Sequence, residues 1–173
     1  MSQIGAKTIN FAGHAANSPQ FDALYAEGMN LVETTAAYLD GQGRKAAKTL
    51  PSHAASLYSA ESIRLTTRLM QLASWLLLQR SLNTGEMTRE QVLQERRKLR
   101  LNEGGINRNT AGWSDLPEGF QELVEASQRL ESRIRILDDN LMQESAEGDT
   151  CESANENQVI AQIDLLQTAF GRR

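Results

Sequence analysis

Between Pro51 and Gly85 the chain contains neither glycine nor proline, and this uninterrupted stretch limits the fold more than any other feature of the sequence. Proline is tolerated in the first turn of a helix, so Pro51 is placed to open one. Gly85 is the next residue suited to closing it. Continuous over about 33 residues, such a helix is near 50 Å long, whereas a compact chain of this size has a radius of gyration of roughly 16 Å. The molecule is therefore expected to be elongated. No β-branched alternating run appears anywhere, which makes the expected fold class all-α.

Two other long segments have helical spacing. Ser18 and Pro19 supply an N-cap and a pre-set first residue, and Phe21, Leu24, Leu31, Val32, Tyr38 and Leu39 recur at helical intervals before Gly41 and Gly43, giving a first helix over about 18–40. Gly28 interrupts it at a cost of about 1 kcal/mol relative to alanine, which a close helix approach would offset. Pro117 opens another helix that runs to about 143, with Phe120, Leu123, Leu130, Ile134, Leu137 and Leu141 alternating by three and four and Ser127 in the one polar slot. Thr88 and Gln91 form a capping box for a short charged helix to about Leu101, and 102–115 has the glycine and asparagine content of a loop. Each of the three amphipathic segments must bury its stripe. This predicts an elongated antiparallel three-helix bundle over 18–143, with Leu69, Leu76, Leu130 and Leu137 in its core.

Flexible tails are expected on both sides of that body. Residues 1–17 show no sustained period. Residues 144–157 are acidic and lack lysine, arginine and most large apolar side chains, so they read as a linker. A short amphipathic segment follows, in which Val159, Ile163, Leu166 and Phe170 form one anchoring face, expected to lie in a partner groove, with docking back onto the chain's own bundle as the alternative.

On the long second helix, Leu65, Leu69, Met70, Leu72, Ala73, Leu76 and Leu77 fill one broad face at 100° per residue, which is expected to be core. A second side carries Leu57, Ala60, Arg64, Arg68, Gln71, Trp75 and Leu78. Arginine and tryptophan are enriched in protein interfaces, so Arg64, Arg68, Gln71, Trp75 and Leu78 are the candidate partner or dimer surface.

Composition excludes several functions. Lysine and arginine total 18 against 22 acids, a net charge of -4. Nucleic-acid binding needs a basic excess, and the run Arg96, Arg97, Lys98, Arg100 has acidic neighbours and no aromatic to stack on bases, so it reads as a solvated helix face. His14 and His53 have no triad or metal partners nearby in sequence, and the single cysteine, Cys151, lies in the linker with nothing to activate it. The glycines match no phosphate-binding fingerprint. No catalytic, cofactor or metal residue is therefore expected. The most apolar run, Leu69 to Leu78, is too short to span a bilayer, and residues 1–19 lack the apolar core of a signal peptide, so a cytoplasmic protein without a membrane span is expected.

The block ESIRLTTRLMQLASWLLLQR at 61–80, followed by Gly85, Glu86, Met87 and Thr88, resembles the signature region of the regulator of CtrA degradation (RcdA-like) family. FDALYAEGMNLVETTAAYLDGQGR at 21–44 is similar to that family's first helix, and NQVIAQIDLLQTAFG at 157–171 to its terminal segment. The resemblance implies a cytoplasmic alphaproteobacterial protein that folds as a three-helix bundle, forms homodimers and has no catalytic residues. It implies an adaptor that, with co-adaptors, helps the ClpXP protease select substrate proteins such as the cell-cycle regulator CtrA. A rigid body with a tethered tail suits that task, because tethering raises effective concentration without chemistry. The competing expectations are a structural helical dimer in another cell-cycle assembly and a small helical hydrolase completed by dimerisation.

Overall fold

The computed structural model describes residues 18–99, 101 and 106–143, and every regular element among them is helical. Helix α1 spans Pro19–Asp40, α2 Gln42–Ala47, α3 Ser52–Asn83 and α4 Arg89–Arg96. A single 3-10 turn, Trp113–Asp115, precedes α5, which covers 118–143. The tails expected at 1–17 and 144–173 lie outside the described residues.

Local sequence sets the helix ends. Ser18 is extended with proline following it, and Pro51 is the N-cap residue of α3. Gly85 takes φ 75°, a left-handed conformation that leaves any other residue strained. Thr88 begins α4 with a reciprocal capping box: Thr88 Oγ1 accepts from the Gln91 amide at 3.3 Å, and Gln91 Oε1 accepts from the Thr88 amide at 2.9 Å. Helix α4 stops short of the expected Leu101, because Leu99 and Leu101 pack onto the core instead of continuing the charged helix.

The core falls into two clusters to which α1, α3 and α5 all contribute. One holds Tyr58, Leu65, Leu69, Phe120 and Val124, with Tyr38 and Leu39 packed against it. The other holds Phe21, Leu24, Leu72, Trp75, Leu76, Leu130 and Ile134. Leu69, Leu76 and Leu130 are buried as the periodicity required, whereas Leu137 is half-buried at the edge of the second cluster. Gly28 sits where α1 meets α3 and α5. A Cβ there would strike Leu76 Cδ1 and lie 3.6 Å from Leu130 Cδ2, so the glycine permits the close approach that offsets its conformational cost.

Contacts along the helices correct the expected antiparallel arrangement. The rings of Tyr58 and Phe120 lie 4.6 Å apart, Arg68 donates to Ser127, and Trp75 donates to Asp138. Residue numbers rise together along α3 and α5, so these two helices are parallel. Helix α1 runs against both, with Phe21 at the Trp75 end and Tyr38 at the Tyr58 end. The cause is the long connection between α3 and α5, which travels back along the body. Leu99 and Leu101 pack at the Trp75 end, the Ile106 carbonyl accepts from Gln128 Nε2 midway, and Trp113 and Leu116 join the Tyr58 cluster. Short turns produce antiparallel neighbours, whereas a long crossover permits a parallel pair.

A second correction concerns the rotation of α3. Its inward seam is Ala54, Tyr58, Glu61, Leu65, Arg68, Leu72, Trp75 and Gln79, alternating by four and three, with Leu69 and Leu76 beside it. Met70 and Leu77, expected in the core, are exposed, and Ala73 is half-buried. Averaging apolar residues around the helix turned the expected core towards Met70, because the true seam includes two charged side chains and a glutamine.

Candidate protein-interaction surface

Arg68 and Trp75, assigned to a partner surface by their type and spacing, are only 5% and 1% exposed. Arg68 Nε pairs with Glu131 Oε2 at 2.9 Å, and Arg68 Nη1 donates to Ser127 Oγ at 3.1 Å. Ser127 Oγ donates in turn to the Val124 carbonyl at 2.7 Å. The polar slot in the α5 seam is thus the acceptor for a buried arginine of α3. Removing one partner of such a pair leaves an uncompensated buried charge and costs about 3–5 kcal/mol.

Trp75 serves as a second inter-helix anchor. Its indole Nε1 donates to Asp138 Oδ1 at 2.6 Å, and the same oxygen pairs with the Arg96 guanidinium. The Arg96 carbon lies 5.4 Å from the Trp75 ring centre, so the cation also faces the indole π system. Burial lowers the Arg96 pKa to about 10, which leaves it protonated at neutral pH. Arg96 therefore departs from the expected solvated face. It ties α4 to α3 and α5, while Arg97 and Lys98 remain exposed.

The other members of the expected surface are dispersed. Arg64 is exposed and pairs with buried Glu61 on its own helix, and Gln71 and Leu78 are half-buried. The five residues do not form one exposed patch, because α4 and α5 cover the side bearing Arg68 and Trp75. The tail face Val159, Ile163, Leu166 and Phe170 lies outside the described residues.

A different side of α3 is open. Ile63 is 70%, Met70 66% and Leu77 49% exposed. They recur at intervals of seven, roughly 150° around the helix from Leu65 and Leu72. Large apolar side chains aligned this way mark an interaction surface more often than scattered single ones do. The heptad recurrence was present in the sequence, but Met70 and Leu77 had been absorbed into the expected core and Ile63 into neither face.

Chemistry-bearing groups elsewhere are modestly arranged. His53 Nε2 lies 3.0 Å from Asp115 Oδ2, a pairing that joins the start of α3 to the 3-10 turn across sequence-distant residues. Arg108 grips Glu125 through two hydrogen bonds of 2.7 and 3.0 Å, which raise the arginine pKa and hold the carboxyl below its ordinary value. Both residues line an open polar hollow of about 310 Å³ with Gln128, Arg129 and Ser132. Among the described residues, no group of three histidine, cysteine, aspartate or glutamate side chains is placed to hold a metal. No helix among them is long and apolar enough to cross a membrane.

Comparison with known proteins covers nearly the whole body. Residues 12–170 match the family described as "Protein of unknown function (DUF1465)". The fold is similar to the crystal structure of RcdA from Caulobacter crescentus CB15, with 44% sequence identity and a TM-score of 0.59, over 75% of this chain and 94% of that one. No curated protein matches.

Proposed function

The chain belongs to the DUF1465 family and is RcdA-like, and from that premise we propose that it is a non-enzymatic adaptor that helps deliver cell-cycle regulatory substrates to the ClpXP protease. The family relationship to RcdA carries this reading. The arrangement of polar side chains supports it: Arg68, Glu131, Trp75, Asp138 and Arg96 hold helices together, while the outward side of α3 offers apolar contact area. Binding, with proximity as the mechanism, suits such a surface. The helical body would hold cargo while Val159, Ile163, Leu166 and Phe170 engage the protease or a co-adaptor. Tethering by a short flexible linker supplies an effective concentration of about millimolar. In this reading the protein works in the cytoplasm as a homodimer, with co-adaptors and substrate proteins as partners and without nucleic acid or membrane.

Deletion of residues 158–173 tests the division of labour. The expected result is an unchanged melting temperature with loss of protein-dependent degradation by purified ClpXP. A large stability loss, with delivery impaired only in proportion to unfolding, would assign those residues to the fold instead. The outward side of α3 also favours a second reading, a structural helical dimer in another cell-cycle assembly. Dimerisation with no effect on any ClpXP substrate would support that alternative.

A further inference from the structure

The outward side of α3 is unusual for a solvent-facing helix. All four charged residues between Ser56 and Ser81 have partners on the body: buried Glu61 pairs with Arg64, buried Arg68 with Glu131, and the Arg80 guanidinium lies 4.6 Å from the Tyr25 ring centre. The hydroxyls are bonded within the helix. Thr66 donates to the Ser62 carbonyl at 2.8 Å, Thr67 to Ile63 at 2.9 Å and Ser74 to Met70 at 2.8 Å. A hydroxyl bonded in this way keeps its donor satisfied when water is excluded, so the surface desolvates at low cost. Small side chains separate the large ones, with Thr66 and Thr67 between Ile63 and Met70, and Ala73 and Ser74 between Met70 and Leu77. Two shallow steps result, each able to take a large side chain of a second helix.

The chain carries a segment of matching character. Residues 157–171 contain one charged side chain, Asp164, and their large apolar residues Val159, Ile163, Leu166 and Phe170 recur at intervals of four, three and four. The described part of α5 ends at 143, five residues beyond Asp138, whose carboxylate accepts from Trp75 of the parallel helix α3. The chain therefore leaves the body level with the Leu77 end of the stripe. Residues 144–158 reach up to about 50 Å, and Val159 to Phe170 as a helix would cover about 17 Å of the roughly 21 Å from Ile63 to Leu77. Attachment gives the segment an effective concentration of about millimolar, an advantage no separate molecule has. We propose that Val159, Ile163, Leu166 and Phe170 dock on Ile63, Met70 and Leu77 of their own chain. Ordering the segment costs nearly as much as burying its side chains contributes, so docked and released forms are both populated. The docked form hides the anchoring face from the protease. On the adaptor reading, on which this consequence rests, cargo that occupies the stripe displaces the segment, so the adaptor exposes its protease anchor when loaded.

The test of docking contains no protease, so its failure is separate from failure of the adaptor reading. A full-length chain with Cys151→Ser and Thr67→Cys carries one exposed thiol within the stripe, and its reaction with neutral iodoacetamide is followed at about 1 μM. Adding Ile163→Asp and Phe170→Asp should speed that reaction at least about threefold, the change expected when about two-thirds of the chains are docked. With the thiol moved to Ser132→Cys, on the exposed side of α5, the two aspartates should leave the rate unchanged. Equal rates at Thr67→Cys with and without the aspartates would overturn the docking. An equal acceleration at both positions would mark a general loosening of the body and would overturn it too. Docking within one chain is independent of concentration, so protection that appears only as the chain is raised from about 1 to 100 μM would place a second copy over the stripe and refute the proposal.

Discussion

Replacing Trp75 separates a structural role from a partner-binding one. The side chain is 1% exposed and lies in the cluster containing Phe21, Leu24, Leu76, Leu130 and Ile134. Truncating a buried tryptophan to alanine costs about 3–5 kcal/mol, combining lost transfer energy with the cavity left behind. The indole also donates to Asp138, the carboxylate that pairs with Arg96. A hydrogen bond to a charged group contributes about 1.5–3 kcal/mol, some of it already contained in the truncation value. Trp75→Ala should therefore lose at least about 3 kcal/mol, and Trp75→Phe, which keeps an aromatic ring but loses the N–H, about 1.5–3 kcal/mol. Against a domain stability of about 5–15 kcal/mol the alanine loss is large, and it should lower the melting temperature by about 10–20 °C. Urea unfolding by circular dichroism measures the stability, and sedimentation of the folded protein measures association. The structural role predicts large destabilisation with normal association of the folded fraction. Trp75→Ala that stays within about 1 kcal/mol of wild type while losing association would refute the placement of Trp75 as an interior anchor.

Arg68→Met alone should destabilise by about 3–5 kcal/mol in the same denaturation assay, whereas Arg68→Met with Glu131→Leu should recover most of that loss because no unpaired buried carboxylate remains. Gly28→Ala should cost about 1–3 kcal/mol through overpacking against Leu76, and Leu76→Val should couple favourably with it in a double-mutant cycle. Glu125 should titrate below 4.5 by NMR because of Arg108, and Arg108→Ala should return it towards that value. Its folded-state pKa is depressed, so the pair's small contribution is present above the unfolded carboxyl pKa and is lost as pH falls through the lower folded value.

Local signals in the sequence translated directly into helix boundaries. Pro19, Pro51, Gly85 and the Thr88–Gln91 box act on the backbone within one turn, and each marks an observed helix end. The burial of Phe120, Leu130 and Ile134 followed from spacing alone. The direction of α5 relative to α3 did not, because an amphipathic stripe demands a partner without fixing its polarity. That polarity is carried by the 84–117 crossover, whose Trp113 and Leu116 act as anchors inside an apparently loop-like segment. The inward placement of Arg68 and Trp75 is hidden from the sequence for a related reason. Their partners Glu131 and Asp138 are 63 residues away in each case, so sequence spacing exposed two polar-tipped side chains without the groups that satisfy them. Once these two are turned inward, the exposed stripe of α3 moves to Ile63, Met70 and Leu77.

The adaptor role is most directly tested by ATP-dependent degradation of fluorescent CtrA by purified ClpXP, with co-adaptors constant and this protein titrated. Delivery by tethering predicts a rate that rises with concentration and falls again at excess, when cargo and protease become occupied by separate adaptor copies. A CtrA degradation rate unchanged at every concentration of the folded protein would contradict delivery of that substrate.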